Sequence, residues 1–296
     1  MQTIKSIFVN MCLSLFIAFA VATSAFAAKS YSYFRVGSAV DVVTSTTAGT
    51  VLMGGGTDVD AAFQWMCARS GGGDFLVIRA TGTDAYNPYI QQLCPNENSV
   101  ATLIIPNRAD ASDPFVISTI QNAEALWIAG GNQADYINFW KGTPVEDALN
   151  TLIARGVPVG GTSAGMNVLT QFVYSALASQ GVTSSQALAD PFTRYITLDR
   201  DFVNLTTLRG IIGDPHFVTR DRMGRDLAFL CRIFTNGWSS MPAESPTPCP
   251  QTPAYSVPRN PAAQFTELIT ELTDPRELLR HMRFAAVPKL TVRLAL

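Results

Sequence analysis

The chain has 296 residues, a formal net charge of −2, 15% charged residues and 47% hydrophobic ones. That balance supplies no basic face for nucleic acid and no polybasic run for anionic lipid, so the expected partner is a small molecule. With two histidines and no Cys-x-x-Cys spacing, no metal site is expected.

Residues 1–27 read as a secretory signal. Lys5 gives a basic start, 11–21 is an uncharged apolar run, and Ala25-Phe26-Ala27 is a small-x-small cleavage site. The expected location is therefore secreted or periplasmic, with no stable membrane association after cleavage. Export also changes what the cysteines mean. Cys12 leaves with the signal, and Cys67, Cys94, Cys231 and Cys249 form an even set suited to two disulfides, paired by proximity as Cys67–Cys94 and Cys231–Cys249.

From Thr50 onward, strand-like and helix-like segments alternate. Val51-Leu52-Met53, Phe75-Leu76-Val77-Ile78, Leu103-Ile104-Ile105 and Leu126-Trp127-Ile128 are short apolar runs bounded by glycine or polar residues, the pattern of strands buried on both faces. Helical patterns over 59–69, 87–93 and 113–122 separate them. The order predicts an α/β fold, a mainly parallel sheet with helices on both faces, in which ligands collect at the carboxyl ends of the strands. A further helix opens at Thr143-Pro144, where Thr143 and Glu146 have capping-box spacing, and Gly156 ends it. The expected organisation is a catalytic domain over 28–240 followed by a Pro-rich, poorly patterned segment over 241–296.

Gly161-Thr162-Ser163-Ala164-Gly165 lies between an apolar strand pattern, Val157-Pro158-Val159-Gly160, and a helical pattern running from Ala164 through Phe172. A serine in such a strand-to-helix turn projects its Oγ from the sheet, and the helix start aims free N–H groups at the place where an oxyanion forms. Two further strand ends carry glycines, Gly54-Gly55-Gly56 and Gly130-Gly131-Asn132-Gln133. Neither has the Gly-x-Gly-x-x-Gly spacing of a dinucleotide site. The three loops are expected to let backbones approach one common site, and no cofactor is expected.

A base for the serine must be His216 or His281. His216 follows an apolar strand candidate, 208–212, through Gly213-Asp214-Pro215, and is the better placed. His281 lies in a charged tail segment. Arg220, Arg222 and Arg225 follow His216 and suit fork-like binding of a carboxylate; the structural alternative is a solvated helix start paired with Asp221 and Asp226. Asp190, Asp199 and Asp201, between serine and histidine, and Glu244 beyond it are candidates for orienting the imidazole.

Taken together, the glycine loop at Gly130-Gly131-Asn132-Gln133, the elbow at Ser163 and Asp214-x-His216-Phe217-x-x-Arg220-x-Arg222-x-x-Arg225 resemble peptidase family S51, in its cyanophycinase-like branch, over about 51–235. The resemblance implies a three-layer sandwich like that of class I glutamine amidotransferases and a serine peptidase mechanism. It makes Ser163 the nucleophile and His216 its base, with the N–H groups of Ala164 and of Gly131 as the oxyanion hole. It puts Gln133, Thr162, Asp214, Arg220, Arg222 and Arg225 around a substrate with acidic or Asp-Arg-type residues. Pro215 stands where cyanophycinases usually carry glutamine. Two other readings compete: a serine esterase of the α/β-hydrolase type, and a catalytically impaired peptide-binding protein on the same scaffold. A second copy of the chain, as a homodimer, is a candidate partner.

Overall fold

A computed structural model of the chain describes residues 29–178 and 180–238. Six strands form the main sheet: β1 (Ser32–Gly37), β2 (Thr50–Met53), β3 (Asp74–Arg79), β4 (Ser99–Ile104), β5 (Ala125–Ile128) and β6 (Val159–Thr162). Their order is β1-β4-β3-β5-β6-β2, and every pairing is parallel except β1 with β4. The expected mainly parallel sheet is therefore present. β1, which the sequence pattern did not single out, closes one edge.

The strand residues alternate between two cores. Phe75 and Val77 of β3, with Val100, Ala125 and Trp127, pack under α1 (Asp60–Ser70) and α2 (Tyr86–Leu93) through Phe63, Met66 and Ile90. Leu76 and Ile78, with Leu103, Leu126 and Ile128, pack on the other face. There they meet α3 (Pro114–Gln121), α4 (Gln133–Trp140), α5 (Pro144–Ala154) and α6 (Ala164–Leu169). A side-chain period of two thus feeds helices on both sides, which is why these strands are apolar at successive positions. Each fully buried Leu, Ile or Phe contributes roughly 1.5–3 kcal/mol to this sandwich.

Local chemistry sets the helix ends. Asp113 caps α3 by accepting from the Phe115 N–H at 2.8 Å, with Pro114 at the first position. Thr143 caps α5 through the Val145 N–H, but Glu146 bonds the Gly142 N–H, so the reciprocal half of the expected box forms one residue earlier. The Cys67–Cys94 disulfide ties α1 to the residue after α2, as proximity suggested. Cys231 is also a disulfide cysteine; its expected partner Cys249 lies outside the described residues.

Two local readings require correction. The helix expected from Ala164 through Phe172 ends at Leu169, and Phe172–Tyr174 form β7, antiparallel to β8 (Leu198–Arg200). Thr170 makes the break. Its backbone is extended, and its hydroxyl bonds the carbonyls of Asn167 and Phe172 while accepting from the Gly213 N–H, an alternative to continuing the helix. The strand expected at 208–212 is a short 3-10 turn, Thr206–Leu208, followed by a single bridge between Phe172 and Ile212. Gly210, at φ 76°, turns the chain out of extended geometry. Beyond it, α7 (Ser184–Ala189) and α8 (Met223–Thr235) pack on β7 through Ala187, Ala228, Phe229 and Tyr174. The signal 1–27 and all of 241–296, with Glu244 and His281, lie outside the described residues.

Candidate active site

β5, β6 and β2 are neighbours and parallel, so the loops that follow them emerge at one edge of the sheet. These are the three glycine loops, and the topology brings them together. Ser163 sits between β6 and α6 at φ 52°, ψ −119°. A non-glycine residue held there costs on the order of 1–3 kcal/mol and persists only where its surroundings over-determine it. Here the Ser163 N–H donates to the Met53 carbonyl at 3.1 Å and its carbonyl accepts from the Asn167 N–H at 3.0 Å. The glycines flanking the serine are required by contact. A Cβ on Gly165 would lie 1.9 Å from the Ile128 carbonyl oxygen, and one on Gly161 would lie 2.6 Å from the Gly165 carbonyl carbon. The elbow is thus pressed onto the end of β5.

His216 reaches the same point from a different part of the chain. Its Nε2 is 2.8 Å from Ser163 Oγ. Its backbone, at φ 54°, is tied to the first glycine loop by a 2.7 Å bond from its N–H to the Gly54 carbonyl. Gly55 lies directly against the pair. A Cβ there would come within 2.5 Å of the imidazole Nε2 and 2.8 Å of Ser163 Cβ. Burial lowers the affinity of the imidazole for a proton, and the charges of Arg220 and Arg222 act in the same direction, against an opposing pull from Asp214. The ring is therefore held below the ordinary histidine range, in the neutral form that accepts a proton.

The three arginines do not behave alike. Arg225 is 4% exposed and forks onto Asp214: its Nε donates to Oδ2 at 2.6 Å and its Nη2 to Oδ1. It also lies over the rings of Tyr174 and Phe229. Arg222 Nη1 donates to Asp214 Oδ1 at 3.1 Å and to the Pro215 carbonyl at 2.5 Å. Asp226 contributes a third contact to Asp214. Burial beside that carboxylate pushes Asp226 up to about 10, so it is a neutral acid at pH 7. Asp214, Arg222 and Arg225, expected around a substrate, instead form a closed internal cluster behind His216. Arg220 alone among the three is exposed, and among the described residues its guanidinium makes no ion pair. Arg222 and Arg225 thus pair with Asp214 in the interior, and not with Asp221 and Asp226 at a solvated helix start.

Thr162 is buried beside the serine, and Gln133 Nε2 donates to the Tyr174 carbonyl at 3.3 Å. Ala164 is the first residue of α6, where an N–H has no partner within its own helix. Gly131 belongs to the loop after β5, whose neighbour Gly130 would carry a Cβ 3.4 Å from Ser163 Cβ. The candidate acids are engaged elsewhere: Asp190 Oδ1 accepts from the Phe192 N–H, Asp199 pairs with Lys141, and Asp201 bonds Gln171 and Arg200. Among the described residues no carboxylate is hydrogen-bonded to His216, and no group of His, Cys, Asp and Glu could hold a metal ion. The Gly54-Gly55-Gly56 loop lies at the common site where it was expected. Residues that sequence reasoning missed are Met53, whose carbonyl holds the Ser163 N–H, and Tyr136.

Fold and site define an α/β sandwich that presents a serine–histidine pair at the carboxyl ends of adjacent parallel strands. Residues 86–189 match the model of Peptidase family S51. The matched stretch contains Ser163 and ends before His216. No curated protein gives a match. Among solved structures, the chain is similar to a peptidase from an acI-B1 Actinobacterium, with 15% identity over 63% of this chain and 76% of that one and a TM-score of 0.45. It is also similar to a peptidase E-type protein of Listeria monocytogenes EGD-e, with 16% identity over 52% and 73% and a TM-score of 0.35. Among the described residues, no helix is long and apolar enough to cross a membrane.

Proposed function

We propose that the protein is an exported serine-type peptidase, cyanophycinase-like, that hydrolyses peptides with acidic or Asp-Arg-type residues through an acyl-enzyme. The observation that carries this reading is the 2.8 Å contact between Ser163 Oγ and His216 Nε2 at a strand-to-helix elbow. In the first half-reaction Ser163 Oγ attacks the peptide carbonyl carbon and its proton passes to Nε2. The oxygen that gains the negative charge is met by the N–H groups of Ala164 and Gly131. His216 then returns the proton to the leaving amine as the C–N bond breaks. Water attacks the ester, losing a proton to His216, which passes it to Ser163 Oγ as the ester C–O bond breaks and the acid is released.

Arg220 is exposed and its charge acts on His216, and it is the residue assigned to an acidic substrate group, because Arg222 and Arg225 are committed to Asp214. The acyl-transfer reading is tested with a fluorophosphonate probe. Wild-type protein is expected to be labelled at Ser163, whereas S163A is expected to fold normally and lose about 10⁴-fold or more of its peptide turnover. Unlabelled wild type, or retained turnover in S163A, would end it.

A further inference from the structure

We propose that Tyr136 is a positioning residue that aims the Gly131 N–H into the oxyanion site; this deepens the acyl-transfer reading above and rests on it. Tyr136 lies on α4, 1% exposed, with its ring stacked on Trp140 at 4.4 Å between centroids. Its hydroxyl is the one polar atom of a buried ring, and it reaches back to the loop after β5. Its single hydroxyl proton is shared between the Ala129 carbonyl at 2.8 Å and the Gly130 carbonyl at 3.2 Å. The phenol is pushed above its ordinary value by burial, so it remains a donor across the working range of an imidazole base.

The geometry of one peptide unit gives this contact its consequence. The Gly130 carbonyl and the Gly131 N–H belong to the same planar, trans group and point in opposite directions. Holding the oxygen toward Tyr136 therefore turns the N–H away from it. Gly130 itself adjoins the nucleophile, since a Cβ on it would lie 3.4 Å from Ser163 Cβ. A free glycine loop can flip this unit, because glycine tolerates both orientations of the backbone. The phenol restricts that freedom. Gly131 itself lies against the same hydroxyl, since a Cβ on it would be 2.7 Å from the Tyr136 oxygen.

Y136F keeps the ring and removes the hydrogen bonds. Inactivation of Y136F by the fluorophosphonate probe is expected to be about 10- to 100-fold slower than in wild type, somewhat less than the loss of an oxyanion donor outright. The midpoint of the pH dependence of that rate should not move, because His216 is untouched. G131A places a methyl group against the hydroxyl and should also slow inactivation, and adding Y136F to G131A should recover part of that loss. Inactivation of Y136F at the wild-type rate overturns the proposal, as does slowing accompanied by a shifted pH midpoint. If Y136F does not fold, G131A decides: slowed inactivation supports the proposal and an unchanged rate overturns it. Failure of wild-type Ser163 to label is a different result, which removes the acyl-transfer reading itself.

Discussion

Ser163 and His216 come from two regions held together by different forces. The sandwich that carries the serine is apolar and close-packed: β3, β5 and β6 are buried along their central residues, and the elbow is locked by contacts between backbone atoms. The region from Phe172 onward that carries the histidine has two short strands, a small core around Tyr174 and Phe229, and a buried ionic cluster. Packing can fix a nucleophile because every neighbour is in van der Waals contact. An irregular loop has no ladder to fix it, so charge-assisted hydrogen bonds from Arg222 and Arg225 to Asp214, and from Arg222 to the Pro215 carbonyl, hold the residues just before the base.

The sharpest way to break the second region is Asp214→Ala, which leaves the Arg225 guanidinium buried without its partner. Removing one member of a buried pair typically costs about 3–5 kcal/mol. Denaturant unfolding should register that loss, and labelling of Ser163 should fall with it. The matching test of the first region is Gly165→Ala. The added methyl group collides with the Ile128 carbonyl, a backbone atom that cannot rotate away, and about 1–3 kcal/mol or somewhat more is expected. If Asp214→Ala proved the milder of the two, packing and not charge would be holding both regions.

Arg220→Ala sharpens the comparison at the base. The Arg220 charge is among the causes that depress the His216 imidazole, so removing it should raise the pKa. The acid limb of the pH–rate profile should then move to higher pH, with little change in thermal stability. An unmoved limb would mean that burial and the cluster of Asp214, Arg222 and Arg225 set the imidazole without Arg220. The smallest expected effect is at the opposite end of the sheet. Glu97 is pushed up to about 7 by burial, despite accepting from the Ser70 hydroxyl at 2.7 Å. A carboxyl whose folded value is raised gives stability that is present below its ordinary value near 4.5 and is lost as pH rises through about 7. Glu97→Gln should therefore flatten the fall in melting temperature over that interval; an unchanged slope would assign it to another group, such as Glu124.

Most of the first region was readable without coordinates. Its strands are continuous apolar runs, its helices have caps and periodicity, and the glycine loops announced where backbones crowd. The second region was not, because its structure comes from contacts distant in sequence. Thr170 stops a helix by bonding across to Gly213, and β7 exists only because Leu198–Arg200 pairs with it. The arginines were visible as a cluster, yet nothing in their spacing says that two of the three face inward. Tyr136 was invisible as anything but core, since a phenol on an apolar stripe shows its ring in the pattern and hides its hydroxyl.

The amino-acid sequence by itself determined the period-two burial of the strands, the direction of the sheet and the turn that exposes Ser163, because each depends on residues close together in the chain. Tertiary structure alone decided that a base 53 residues further on meets that serine, and which charges face solvent. Those outcomes depend on distances between segments that the chain joins only through loops, where the pairing of buried charges and polar backbone groups selects one arrangement.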